Sequence, residues 1–160
     1  MEARLLAQPI PAAINRCGYY MSNGAAMAET VRETGILPSF FPADLELPMV
    51  APEDLGQAAA ARLLSSCEDV GLRHVEGPEH YTARDVADAF AAVLGRAVTV
   101  EEIPPAALEP TFRSFGFSQP AAASYARMTR RLIHGQTEAS TPPRRGRMSL
   151  AAYIRAVVAH

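Results

Sequence analysis

Lysine is absent from all 160 residues, so every one of the 15 cationic side chains is arginine. That absence excludes a Schiff-base lysine, a phosphate-loop lysine, pyridoxal-phosphate chemistry and a tyrosine–lysine proton relay. Cysteine occurs twice, at Cys17 and Cys67, too sparse for a disulfide framework and without metal-finger spacing. Reduced thiols are expected. No apolar run reaches bilayer length, and residues 1–8 lack the apolar stretch and cleavage site of a signal peptide. The expectation is therefore a cytoplasmic protein with no membrane partner. A net charge of −2 gives no overall attraction to nucleic acid, and none is expected as a partner.

What is present suits a folded domain: 49% of residues are apolar and 20% charged, enough to bury a core at this length. The chain reads as one domain over residues 1–160, interrupted by a mobile loop at 136–147 around Pro142-Pro143-Arg144-Arg145-Gly146-Arg147. Residues 1–8 read as the end of a helix and residues 12–16 as a short apolar strand. Gly18 and small polar residues then turn the chain into a helix over 21–33, which Gly35 stops.

Three prolines within 36–50 break any helical period and imply extended, turning backbone. Pro52-Glu53-Asp54 opens a helix whose expected buried stripe is Leu55, Ala58, Ala59 and Leu63. Residues 71–75 suggest a strand. Thr82 with Asp85 three positions on resembles a capping box, and Gly95 closes the helix so begun. Val98, Val100 and Ile103 suggest a further strand. Helices follow at 108–115, at 119–134 with Tyr125, Met128 and Leu132 as a core stripe, and beyond Ser149.

Three segments, in order, resemble one family. They are Arg16-Cys17-Gly18-Tyr19-Tyr20-Met21-Ser22-Asn23, similar to Arg-Pro-Gly-x-Phe-Met-Glu-Asn; Pro48-Met49-Val50-Ala51-Pro52-Glu53-Asp54-Leu55-Gly56; and Glu76-Gly77-Pro78-Glu79-His80-Tyr81-Thr82, leading into Asp85-Val86-Ala87. Residues 10–153 thereby resemble the C-terminal half of an NmrA-like protein, in the atypical branch of the short-chain dehydrogenase/reductase superfamily. The fold so implied is α+β, the substrate-side half of a Rossmann-type protein with a few short strands and about five to six helices.

The resemblance implies NAD(P) as cofactor, with the backbone near Cys17, Gly18 and Tyr19 facing the nicotinamide and Tyr20 and Asn23 shaping the adjoining cleft. Cys17 departs from the family's proline and Ser22 from its glutamate. The resemblance also implies that Phe112, Phe115, Phe117 and Tyr125 line a substrate pocket for a small apolar ligand. The family's Gly-x-x-Gly-x-x-Gly turn is absent, because Gly18, Gly24 and Gly35 have other spacings. Weak or no dinucleotide binding by the chain alone is expected. The first strand would lack its neighbours, which implies a homodimer or a complex with a separate N-terminal half.

Bland readings stand beside these. Cys67, His74 and His80 straddle several elements, and the two histidines read as surface or turn residues; no metal is expected. Cys17 is either a thiolate held by a helix dipole or simply a small buried residue. No catalytic residue is assignable: Tyr19 and Tyr20 have no lysine or adjacent histidine to lower a phenol's pKa. The arginine groups 127, 130, 131 and 144, 145, 147 read as solvated faces. Functionally, the alternatives are part of a nicotinamide-dependent oxidoreductase or redox sensor, a non-enzymatic binding module on the same half-fold, and a truncated product without a role.

Overall fold

A computed structural model describes residues 2–66, 68–135 and 141–158. In chain order the elements are α1 (Glu2–Leu6), β1 (Ala13–Cys17), β2 (Tyr19–Tyr20), α2 (Met21–Ala25), α3 (Ala28–Thr34), β3 (Ile36–Ser39), β4 (Met49–Val50), α4 (Pro52–Leu63), β5 (Gly71–Glu76), α5 (Ala83–Leu94), β6 (Thr99–Glu102), α6 (Leu108–Ser114), α7 (Gln119–Ile133), β7 (Arg144–Arg145) and α8 (Leu150–Val158). The class is mixed α and β, as the sequence implies. The described residues hold eight helices, more than the five to six expected. Much of the excess is local: α1 forms a full turn, and the helix read over 21–33 breaks at Ala26 and Met27. No glycine or proline marks that break.

The chain divides into two compact units. One comprises Met1–Ala26, Leu47–Tyr81 and Ala139–His160; the other comprises Met27–Glu46 and Thr82–Glu138. No described helix is long and apolar enough to cross a membrane.

In the first unit every ladder between named strands is parallel. β1 pairs with β5 from Ala13 opposite Gly71 to Cys17 opposite Val75, and β5 pairs with β7. β2 pairs separately with β4. Of the segment read as a mobile loop, residues 136–140 lie outside the described residues, while Arg144 and Arg145 form the third strand of the sheet. Val50, Ala58 and Val75 make a buried cluster, against which Leu55 packs.

The stripe of α4 differs from expectation. Ala58 is buried and Leu55 packs beside it as expected, but Leu63 is 83% exposed, and Asp54 and Arg62, one turn to either side of Ala58, face inward. Arg62 is a buried clamp. Its guanidinium donates to the carbonyls of Ile14 (2.9 Å), Asp69 (3.1 Å) and Gly71 (2.7 Å) and to Asn15 Oδ1 (2.8 Å). Five donors in a fixed fork let one side chain satisfy the entry ends of both β1 and β5.

In the second unit β3 and β6 form a parallel pair, Ile36 opposite Thr99. The capping box of α5 forms as read: Thr82 N donates to Asp85 Oδ2 at 2.7 Å, and Asp85 N donates to Thr82 Oγ1 at 3.1 Å. Gly95, at φ 65°, ends the helix in the left-handed region. Leu108 and Phe112 of α6 pack on Ala122 and Ala126 of α7. Tyr125 and Met128 are not core residues: they are 44% and 50% exposed, and Ala122, Ala126 and Thr129 occupy the buried face. Alanine permits close helix contact, which displaces the bulky residues to the outside.

Candidate functional site

The loop carrying the first motif lies in the first unit, where the chain leaves β1 and enters β2. Gly18 is required there. Its N–H donates to the Val75 carbonyl at 2.9 Å, and a Cβ on it would lie 1.7 Å from the Pro48 carbonyl oxygen. Gly77 repeats the arrangement. It donates to the Met49 carbonyl at 2.8 Å, and a Cβ there would sit 2.2 Å from that oxygen. Two glycines thus let the segment 48–49 press between the exits of β1 and β5, which brings all three motifs read from the sequence together.

Cys17 is exposed, which corrects the reading of a small buried residue. It is not an activated thiolate either. Partial burial of its sulfur pushes the thiol's pKa up, only partly opposed by a hydrogen bond with Tyr20. The negative charge that Cys17 would carry, followed by burial, raises the Tyr20 phenol in turn. Burial raises Tyr19 too, against a hydrogen bond with Asn23. All three groups are neutral near pH 7, so the loop offers uncharged, weakly polar groups and no proton relay.

Ser22, the second departure from the family pattern, has a local role. It hydrogen-bonds the Tyr153 phenol, whose pKa is raised chiefly by burial and further by the charge of Glu53. Its position in α2 thereby fixes α8.

Polar anchors that the sequence reading missed surround this loop. Asp54, buried in the first turn of α4, accepts the N–H groups of Arg147 and Met148 through Oδ2, each at 3.0 Å. Gly146 makes that contact possible, since a Cβ there would be 2.3 Å from Asp54 Oδ2. Glu76, at the exit of β5, pairs with Arg145 at 3.1 Å and lies 3.3 Å from His80 Nε2. Arg145 is thus a strand residue that stays exposed, as do Arg144 and Arg147, while its guanidinium has a carboxylate partner. The Nε2 atom of His74 is buried without a hydrogen-bond partner among the described residues. Cys67 lies outside the described residues.

The aromatic residues read as a pocket lining lie in the second unit and come together. Phe112 is 5.7 Å from Phe117 and 5.6 Å from Tyr125, and Phe117 meets Tyr125 edge-on at 5.0 Å. Phe115 joins through Phe40, which the sequence reading missed: Phe40 stacks on Phe112 at 4.8 Å and meets Phe115 edge-on at 6.2 Å. Phe112 is buried, whereas Phe115 is 54% exposed. A groove of about 500 Å³ beside α6 and α7 is lined by Ala106, Glu109, Pro110, Arg113, Gln119 and Arg130, none of them from the cluster.

No known family model matches the sequence, and no curated protein matches it. Solved structures do. An NADPH-dependent quinone oxidoreductase from Escherichia coli, complexed with NADPH, superposes with a TM-score of 0.75 at 21% identity, covering 98% of this chain and 56% of its own. A nucleoside-diphosphate-sugar epimerase from Staphylococcus aureus gives 0.70 at 15% identity, covering 96% and 55%. This chain thus spans little more than half the length of these structures. Over that span it has the Rossmann-like α/β fold of NAD(P)-dependent oxidoreductases and epimerases.

Proposed function

We propose that the chain is the substrate-side, C-terminal half of an NmrA-like, nicotinamide-dependent oxidoreductase or redox sensor. The observation that supports this most is the Gly18 crossing at the exits of parallel strands β1 and β5, the end of such sheets where ligands bind. In this reading Cys17, Gly18 and Tyr19 face a nicotinamide ring, and Tyr20 and Asn23 border it. The cofactor supplies a hydride when bound; these residues supply position and the exclusion of water.

The donor set fits only part of that cofactor. Neutral thiol, phenol and amide groups suit an uncharged or singly charged ring. The diphosphate wants backbone N–H groups at a helix start and a glycine turn. Residues 17–23 include no cation, and α2 is a single five-residue turn whose N-cap, Tyr20, makes no side-chain cap. The half that cradles phosphate must therefore come from elsewhere, and the chain alone binds dinucleotide weakly. Calorimetric titration of the purified chain with NADPH tests this: millimolar or no affinity is expected, and micromolar affinity contradicts it.

A second reading, a non-enzymatic module that holds a small apolar ligand, draws on the half-exposed Phe115 and Tyr125 beside buried Phe112. It predicts that an apolar fluorophore binds the chain and that Phe115→Ala or Tyr125→Ala weakens it several-fold. An unchanged affinity in both variants contradicts it. Both readings take the protein as cytoplasmic, with no nucleic-acid partner.

A further inference from the structure

The groove beside α6 and α7 lies wholly within the second unit. The two helices form an antiparallel hairpin. Only residues 115–118 separate Ser114 from Gln119, and at the other end the Arg130 guanidinium donates to the Pro105 carbonyl at 3.1 Å. Arg113 and Gln119 therefore border the groove near the connecting loop, Ala106 and Arg130 border it near the start of α6, and Glu109 and Pro110 lie between. At helical rise the stretch from Ala106 to Arg113 covers roughly 10 Å. The volume of about 500 Å³ suits a small organic molecule.

Its charged side chains have no carboxylate or guanidinium partners. Glu109 precedes Arg113 by one turn, in the order that favours an ion pair along a helix. Yet neither makes an ion pair or a hydrogen bond among the described residues. Arg130 is half-buried, and its bond to Pro105 is the only one it makes among the described residues. That bond holds the guanidinium in place and leaves most of its donors free. Glu109 is half-buried as well. A carboxylate and two guanidinium groups that border one groove without meeting leave their charge-assisted hydrogen bonds to a third party.

The lining thus offers a guanidinium fork near each end, one carboxylate between them, one amide and a single net positive charge. Each fork matches a carboxylate through two parallel hydrogen bonds, and the carboxylate matches an ammonium group. A dense polyanion fits worse, because a diphosphate would gather its charge beside Glu109.

We propose that this groove binds a small amino-dicarboxylate, an α-amino acid with a second carboxylate, of about the size of glutamate. One carboxylate meets Arg113 and Gln119, the other meets Arg130, and the ammonium group meets Glu109. The ligand's single net negative charge offsets that of the lining. The site requires no nicotinamide, so the inference goes beyond the functional reading and stands apart from it.

The test is amide NMR of the full chain titrated with L-glutamate, with glutarate and inorganic phosphate in parallel. L-glutamate is expected to shift the amides of Ala106, Glu109, Arg113 and Gln119 saturably. Glutarate lacks the ammonium group and phosphate lacks the second carboxylate, so each is expected to bind at least about tenfold more weakly. Arg113→Gln, at an exposed position that makes no demand on folding, should weaken L-glutamate at least about tenfold. Arg130→Lys should do the same, since it keeps the charge and loses the fork. Glu109→Gln should bring glutarate level with L-glutamate or above it. Absence of a saturable shift with L-glutamate overturns the proposal, as does phosphate binding of equal strength, or L-glutamate binding that Arg113→Gln leaves unchanged. A nicotinamide ligand is read at residues 17–23 in the first unit, so either reading can fail without the other.

Discussion

The two units fix short parallel strands by different means. In the first, strands of two to six residues are held by polar groups that act at a distance in sequence: Arg62 on the carbonyls of Ile14, Asp69 and Gly71, Asp54 on the backbone of Arg147 and Met148, and Gly18 and Gly77 against Pro48 and Met49. In the second, β3 and β6 lie among helices with regular caps and an aromatic cluster around Phe112. Damage should therefore be focused in the first unit and diffuse in the second. A clamp residue that loses its partners leaves several buried groups unsatisfied, whereas a half-exposed ring loses only part of its contact area.

The largest expected effect is at Gly18. Alanine there forces the Pro48 carbonyl aside, and we expect a loss of about 4 kcal/mol or more, seen as loss of the cooperative unfolding transition. Arg62→Ala comes next, at about 3 kcal/mol by denaturant titration, because three carbonyls and the Asp69 carboxylate lose their donor together. In the second unit Thr82→Ala should cost only about 1 kcal/mol, the ordinary worth of a helix cap. If Thr82→Ala proved as damaging as Arg62→Ala, the contrast between the units would fail.

The smallest effect is alkaline. Burial raises the Tyr19 and Tyr153 phenols in the folded protein, so the unfolded chain ionises first. Their contribution is complete below the unfolded phenol pKa of about 10 and falls as pH rises through the higher folded values. Tyr19→Phe should flatten that decline in a pH series of unfolding midpoints; an unaltered slope would contradict the assignment.

This contrast also explains what could be read without coordinates. The α5 capping box and its closing glycine are local signals, and they appear where read. The strand read over 12–16 was equally legible and appears at Ala13–Cys17. The buried face of α4 was legible only at Leu55 and Ala58, and that of α7 was not. Both helices are alanine-rich, and there the bulky residues mark the outside: Leu63 in α4, Tyr125 and Met128 in α7. Inward Arg62 and Asp54 are satisfied by backbone groups from distant segments, which no periodicity reveals. The partners of Ser22 and Arg145 were hidden for the same reason, since Tyr153 and Glu76 lie more than a hundred and nearly seventy positions away. Of the aromatic group, four of its five members were legible; Phe40 sits in the proline-rich stretch, where sequence offers no periodicity to place it.

The central claim is that this chain carries surroundings for a nicotinamide ring but none for the diphosphate. It is tested most directly by amide NMR of the full chain titrated separately with reduced nicotinamide mononucleotide and with ADP-ribose. The account predicts shifts at Gly18, Tyr19 and Asn23 with the nicotinamide fragment and no saturable response to ADP-ribose. Saturable binding of ADP-ribose, with the amides of the Cys17–Asn23 loop unmoved by the nicotinamide fragment, would contradict it.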